Sequence, residues 1–355
     1  MLCVAVALLV QTVGVLPAGA RGATARAVPE MRFMRDVTCL PNGTCLGVGH
    51  TPARQGAVIV LHASGATGAV RPVPGTLDLS SIACAPGGGC IAVGEAFDGS
   101  VTFPVVVEVT TSGVPGSVRP VSGATNLYKV ACPAATTCLA TGGLTTETIP
   151  GHPEVSARFV VITNGQPAPA QPFSPESERF MGISCPTSTR CLAVGQGNVA
   201  MLSKNRRGGW SPRVSKLTVP GGSGSPGEAI SCPSTTTCHM TAFSSIPTAE
   251  GSMTVPAIMQ VSADGVAGPV QPLSNRPGSL QDISCVAFGS CTVVGQDIPT
   301  SGGMTIEVAG GSTAVTFWAN SNFFTGVSCV TAASCGIVGA VPQMAVFGWK
   351  GPVPS

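Results

Sequence analysis

The chain has 355 residues, a net charge of +2 at pH 7 and only 10% charged residues, with 46 Gly and 31 Pro. It is too apolar for a disordered chain, and its near-neutral balance and 5% aromatic content exclude the basic, stacking surface of a nucleic-acid binder. So many glycines and prolines imply short strands and tight turns, in two ordinary domains or in one closed all-β fold of this length.

Residues 2–20, LCVAVALLVQTVGVLPAGA, carry no charge and end in Ala18-Gly19-Ala20, a small-x-small cleavage pattern. They read as a secretory signal peptide, or as an N-terminal membrane anchor if they stay attached. Either way the rest is expected to be secreted or bound to the cell envelope. No later apolar run is long enough to span a bilayer, so any membrane contact would come through an uncleaved N-terminal segment.

Next comes ATARAVPEM (23–31), a spare edge-strand candidate, and then a motif that recurs to the end of the chain. Fourteen cysteines fall as Cys39/Cys45, Cys84/Cys90, Cys132/Cys138, Cys185/Cys191, Cys232/Cys238, Cys285/Cys291 and Cys329/Cys335, every pair C-x5-C. Their first members recur every 44–53 residues, the signature of a repeat architecture. Two residues before each first cysteine stands Val37, Ile82, Val130, Ile183, Ile230, Ile283 or Val327. After each second one an apolar run closes on Gly49, Gly94, Gly142, Gly195, Ala242, Gly295 or Gly339. Two β-rich runs joined by turn-formers read as a hairpin, and cysteines facing each other across it sit near disulfide distance. Zinc sites use shorter spacings and need four converging ligands, whereas here each pair belongs to its own repeat. An exported chain therefore uses these pairs as seven disulfides.

A third apolar run follows in each repeat, such as AVIVLHASG (57–65) or PVVVEVTTSG (104–113). A fourth, more polar run follows that, such as AVRPVPG (69–75) or PVQPLSN (269–275), where proline suits an outer edge. Four antiparallel strands at this period make one propeller blade, and seven repeats make a seven-bladed, all-β propeller with one disulfide per blade. The last repeat shows three strands. Residues 23–31 are expected to pair with the strand at 343–349, completing the seventh blade and closing a single domain over 23–355.

Motifs such as ISCPTSTRCLAVG (183–195) and ISCPSTTTC (230–238) resemble the disulfide-stapled repeats of secreted bacterial β-propeller proteins. The resemblance covers all seven repeats and implies the fold without an activity. SADG (262–265) is also similar to the turn of the Asp-box in sialidase-like propellers, although the Thr-Trp that follows there is absent here.

In a blade, the joins between second and third strands share one face with the joins between blades, and the cysteine hairpins lie on the other. The second-to-third joins vary most: three residues after Gly195, against about fifteen in GLTTETIPGHPEVSA (143–157) and twelve in FSSIPTAEGSMT (243–254). A rigid scaffold with variable loops on one face is organised like a binding surface. These loops carry Glu95, Asp98, Glu147, Glu154, Glu250 and Asp297, the ligand-binding candidates. The blade joins add Glu30, Asp36, Asp78, Glu176, Glu178, Glu228 and Asp282, which puts 13 of the 16 carboxylates on one face. Such a face suits a basic protein, a glycan or a divalent cation such as Ca²⁺. A basic cluster, Lys204, Arg206 and Arg207, falls on the other face.

Catalytic candidates are few. His62 and His239 read as structural, while His50 and His152 fall on variable loops and are the plausible bases or ligands. Tyr128, the sole tyrosine, lies beside Lys129 in a blade join and reads as a packing residue. The sequence thus points to an exported binding module working through its acidic, variable-loop face. The alternative is a propeller lyase or hydrolase with a divalent cation at the channel mouth.

Overall fold

A computed structural model describes residues 25–149, 152–174, 179–195, 197–218, 224–249, 251–318, 321–341 and 344–350. They form seven antiparallel sheets, each with strands paired in chain order from the axis to the rim. The inner strands are Phe33–Cys39, Thr76–Cys84, Asn126–Ala134, Gly182–Thr187, Gly224–Ser231, Gly278–Ala287 and Phe323–Thr331, for blades 1 to 7. Neighbouring inner strands pack on one another around the axis. Each blade has four strands; in blade 3 the outer one is broken into Gln166–Pro167 and Gln171–Pro172, both paired to His152–Thr163. The outer strand of blade 7 comes from the other end of the chain: Arg26–Val28 pairs antiparallel with Met344–Lys350, Ala27 opposite Val346.

Each blade holds one disulfide across its first hairpin, with Cα atoms 3.9–4.0 Å apart. The pairing is the one the spacing implies, but the two halves of each bridge lie in different surroundings. The first cysteines are half-buried beside the turn. The second ones, Cys45, Cys90, Cys138, Cys191, Cys238, Cys291 and Cys335, are at most 4% exposed. Only the turns are at the surface, because the second strand carries its cysteine into the packing between blades. Cys45, Cys191, Cys291 and Cys335 thus sit inside apolar clusters, where each bridge serves as core as well as staple.

Seven such clusters fill the blade interfaces, one at each. Leu46, Val48 and Val58 of blade 1, for example, meet Leu79, Ile82 and Ala92 of blade 2. Small aliphatic side chains alternating on both sheet faces give each strand two buried faces, and that accounts for a chain so poor in charge.

Two recurring kinds of hydrogen bond tie neighbouring blades together. Near the axis, the serine before a first cysteine accepts the N–H of the next blade's first cysteine. Cys232 thus bonds Ser184, Cys285 bonds Ser231, Cys329 bonds Ser284, and Cys39 bonds Ser328 across the closing interface, all at 2.9–3.0 Å. At the rim, the Arg or Gln of the outer strand reaches the next blade's far turn. Arg71 donates to the Ser112 carbonyl, Gln271 to that of Gly311, and Arg26 to that of Gly65. The N-terminal strand therefore makes the same clasp from blade 7 to blade 1 that intact blades make to their neighbours.

The long joins at 143–157 and 243–254 are not loops. Thr137–Ile149 and His152–Thr163 stay in register out to Glu147 opposite Pro153, and Thr237–Thr248 and Gly251–Ser262 out to Thr248 opposite Gly251. β-Branched residues such as Thr145 and Val155 carry the strands past the sheet, and pairing continues to Ile149 opposite His152 and Thr248 opposite Gly251. Blades 3 and 5 thus raise two-stranded arms from one face. In blade 4 between them the pairing ends at Gly195 opposite Asn198, leaving a low saddle.

Candidate functional site

The inner strands share an irregularity that the repeats do not advertise. In blades 1, 2, 3, 6 and 7 the pairing register slips just ahead of the residue three before the first cysteine. The extra residue is Arg35, Ser80, Tyr128, Gln281 or Thr325. A bulge of this kind re-aims a side chain. The glycine that closes each second strand follows from it. A Cβ on Gly49, Gly94, Gly142, Gly195, Gly295 or Gly339 would fall on the backbone carbonyl oxygen of Phe33, Asp78, Asn126, Arg179, Ser279 or Phe323. Blade 5 carries Ala242 there, and it alone has a wider slip, from Pro226 to Ile230, with a glycine moved to the inner strand at Gly227.

The bulges produce two tiers of side chains around the channel. The upper tier, four residues before each first cysteine, is Arg35, Ser80, Tyr128, Met181, Glu228, Gln281 and Thr325. Ser80 and Thr325 turn back to the Leu127 and Met34 carbonyls of the following blade, while Arg35, Glu228 and Gln281 are exposed. The lower tier is Asp36, Ser81, Lys129, Gly182, Ala229, Asp282 and Gly326. Here Lys129 crosses the axis: its Nζ lies 2.9 Å from Asp36 Oδ1 and 3.4 Å from Asp282 Oδ2. Asp36 also accepts from Ser81 Oγ and Ile82 N, and Asp282 from Val327 N. Asp36 and Asp282 are therefore not loop carboxylates of a blade join. They are buried inner-strand groups, 3% and 6% exposed, because the bulge turns them inward.

Above this plug, blades 1 to 3 build a charged wall. Asp78 and Glu95 stand directly opposite on paired strands. Arg35 Nε donates to Asp78 Oδ2 at 2.8 Å, and its guanidinium lies 4.4 Å over the Phe33 ring. His50, stacked on Phe33, brings Nδ1 to 3.2 Å from Asp78 Oδ1, off hydrogen-bond geometry. Burial pushes the Glu95 pKa up, Asp78 adds to the rise, and Arg35 offsets part of it. Burial also raises Tyr128, within the field of Arg179, Glu95 and Glu228. Around the mouth three cations (Arg35, Lys129, Arg179) stand among five carboxylates (Asp36, Asp78, Glu95, Glu228, Asp282).

The remaining sequence candidates scatter. Asp98 is exposed and caps its own turn, accepting from Ser100 N and Val101 N; these backbone bonds lower its pKa. Glu147 and Glu154 lie on the blade 3 arm. Since Glu154 faces Thr146 across the strands, the two glutamates point to opposite sides of it. His152 pairs with Ile149 near the tip of the same arm. Asp297 is fully buried, held by Arg276 at 3.0 Å and by Thr300, so it ties a blade join to a turn. Glu250, Glu176 and Glu178 lie outside the described residues. His239 is buried against Phe288, and burial lowers its pKa. The bridged sulfurs of Cys45, Cys191, Cys291 and Cys335 are sealed in the blade interfaces, away from the channel mouth, so these residues belong to the scaffold and not to a site. Among the described residues no three His, Cys, Asp or Glu side chains converge as metal ligands.

Sequence reasoning puts Tyr128 and Lys129 together in a join and misses both tiers. The signal is present: aligned on their cysteines, the repeats give D, S, K, G, A, D and G at the lower-tier position, three charges among small residues. What no alignment of repeats shows is that a lysine on blade 3 reaches aspartates on blades 1 and 6.

No protein-family model matches the chain, and no curated protein does. Solved structures do. The chain is similar to a streptogramin B lyase, with 8% identity and a TM-score of 0.59 over 92% of this chain and 95% of that one. It is similar to the WD40 β-propeller domain of Doa1, with 11% identity and a TM-score of 0.59 over 92% and 96%. A third is the β-propeller domain of Cps50 (Swd1) from Myceliophteria thermophila, with 10% identity and a TM-score of 0.60 over 93% and 100%. At such identities the likeness is one of fold, and it spans a lyase and WD40 propeller domains alike.

Proposed function

We propose that the protein is an extracytoplasmic binding module whose channel mouth, flanked by the arms of blades 3 and 5, takes a cationic group of a protein or glycan partner. The observation that carries this reading is Glu95 directly opposite Asp78, a half-buried pair of like charges with Arg35 as the guanidinium that offsets it. Like charges facing across a strand pair destabilise each other, so a ligand ammonium or guanidinium beside Glu95 gains what the folded protein lacks. A recessed mouth with more carboxylates than cations concentrates such a ligand. Residues 2–20, read as a signal sequence, and seven disulfides fit an oxidising compartment outside the cytoplasm.

Calorimetry with hexalysine and hexaglutamate peptides and with amino-sugar oligosaccharides tests it. Glu95→Gln should remove binding of the cationic ligands and leave the melting temperature within about 1 °C, while replacing Lys204, Arg206 and Arg207 should spare binding. Binding of hexaglutamate instead, or an unaffected Glu95→Gln variant, would reject the reading.

One observation favours the alternative lyase or hydrolase. Asp78 Oδ1 stands 3.2 Å from His50 Nδ1, and realigning that contact into a hydrogen bond would give the carboxylate–imidazole pair that orients a general base. Asp78 and Glu95 could lend two oxygens to a divalent cation, whose further ligands would have to come from substrate or water. Ca²⁺ titration of the Glu95→Gln and Asp78→Asn variants separates this reading from the first.

A further inference from the structure

We propose that the axial cluster of Lys129, Asp36 and Asp282 is a proton-operated clamp, which holds the ring more tightly in mildly acidic surroundings than at neutral pH. The geometry sets this up. One ammonium serves two carboxylates from opposite sides of the channel, so the cluster carries one surplus negative charge when fully ionised. Both aspartates are nearly inaccessible to water, and Lys129 is about a quarter exposed. The three groups belong to blades 1, 3 and 6, so the cluster spans the ring, whereas the main contacts between strands of different blades join neighbouring blades.

The two carboxylates are not equivalent. Asp36 lies closer to Lys129 and accepts from Ser81 Oγ, Ile82 N and Val37 N as well. Asp282 has the longer contact with the ammonium, beside backbone donors from Val327 and, more weakly, Ile283, and among the described residues no side-chain hydroxyl. The added proton therefore belongs on Asp282. Burial pushes this group up, Lys129 pulls it back and Asp36 adds to the rise, leaving it at about 6 against 3.8 for an unperturbed aspartate. Burial works to lower Lys129, but the pull of Asp282 and Asp36 outweighs it and keeps the ammonium charged throughout. The other elements packed on the Asp282 strand bring little charge: beyond bridged cysteines, Phe323–Thr331 and Gly251–Ser262 hold no titratable side chain, Gly224–Ser231 only Glu228, one tier up, Thr237–Thr248 only His239, packed on Phe288, and Ser290–Asp297 only Asp297, held by Arg276.

The sign follows from linkage. A carboxylate whose pKa is raised on folding binds its proton more tightly in the native state. Its contribution favours folding fully below about pH 4 and is lost as pH rises through about 6. With Asp282 protonated, Lys129 is left to Asp36 alone, a neutral pair.

Thermal unfolding between pH 4.5 and 8 with disulfides intact tests the clamp, read as the difference between each variant and the wild type so that other carboxylates cancel. Asp282→Asn keeps an acceptor for Val327 N–H and removes the surplus charge. It should raise the midpoint at pH 7.5 by about 4 °C relative to wild type, and that advantage should fall to about half by pH 5 and shrink further at pH 4.5. Lys129→Met should lower the midpoint most at pH 7.5 and recover part of the loss at pH 5. Glu95→Gln, which removes the other raised carboxylate, is the control and should leave the Asp282→Asn difference unchanged. An Asp282→Asn difference that is flat across this range would overturn the proposal, as would destabilisation at every pH. If Lys129→Met fails to fold, the Asp282→Asn profile alone decides.

Discussion

The glycine that ends each second strand invites a direct test, because the close approach it permits is what creates the bulge. In Gly295→Ala the new methyl would land on the Ser279 carbonyl oxygen, with Ser279 C and Leu280 Cα at 2.9 and 3.0 Å. All three are backbone atoms, so no rotamer change relieves the contact, and the inner strand of blade 6 must move by about 1 Å or lose its bulge. Overpacking of this kind costs roughly 1–3 kcal/mol; the alanine recovers up to about 1 kcal/mol through the unfolded chain. With backbone on every side the upper part of the range applies, giving a net loss of about 2 kcal/mol. Unfolding entropy of ~2 cal/mol/K per residue over the folded chain amounts to ~0.7 kcal/mol per degree. The midpoint should therefore fall by about 3 °C in scanning calorimetry at pH 7. Hydrogen exchange should localise the damage, with faster amides in Gly278–Ala287 and unchanged ones in Gly182–Thr187. The companion is Ala242→Gly in blade 5, where the slip is already wider and Gly227 has taken the tight position. That change should cost no more than the ~1 kcal/mol of a glycine in a strand interior. An unchanged midpoint for Gly295→Ala, or equal local loosening in both variants, would refute the account of the bulge.

Arg276→Ala should destabilise by about 3 kcal/mol, since it strands the buried Asp297 carboxylate, and Asp297→Asn in that background should recover most of the loss by thermal melts. Replacing Cys232 and Cys238 with alanine opens a seven-residue ring and should cost about 2–3 kcal/mol, visible as a melting shift that reducing agent no longer adds to in that blade. Deleting residues 25–31 removes the outer strand of blade 7 together with Val28 and Met31 from the closing interface. It should strip exchange protection from 344–350 while leaving blade 4 protected.

The cysteine spacing, the alternating apolar runs and the prolines of the fourth runs suffice to read seven four-stranded blades, because these signals are local: each fixes a hairpin, a strand face or an edge within a few residues. Even the inter-blade contacts leave a mark, in the serine of ISC and the arginine of VRPV, although their partners lie a blade away. The C-x5-C spacing gives the partner of Cys45 or Cys191 but not its burial, which depends on the neighbouring blade that covers it. Glu95 and His50 are legible because polar residues just after the closing glycine must lie on the variable face. Asp297, marked by the same logic, is a buried structural anchor, since its neighbour Arg276 folds over it from a join 21 residues earlier. The arms of blades 3 and 5 read as loops because length alone does not distinguish a coil from a hairpin; register across the pair does.

The repeat, the bridges and the closed all-β class are thus written in the chain itself, because a C-x5-C hairpin and a 44–53-residue period leave few other ways to bury so many aliphatic side chains. What stands in the channel is not. One extra residue in an inner strand turns a side chain through the pleat. Ring closure then brings the carboxylates of residues 36 and 282, far apart in the chain, to 2.9 and 3.4 Å from a single ammonium at residue 129. A hydrophobic period encodes which face of a strand is buried. It does not encode which charges meet across an axis that exists only once the seventh blade has joined the first.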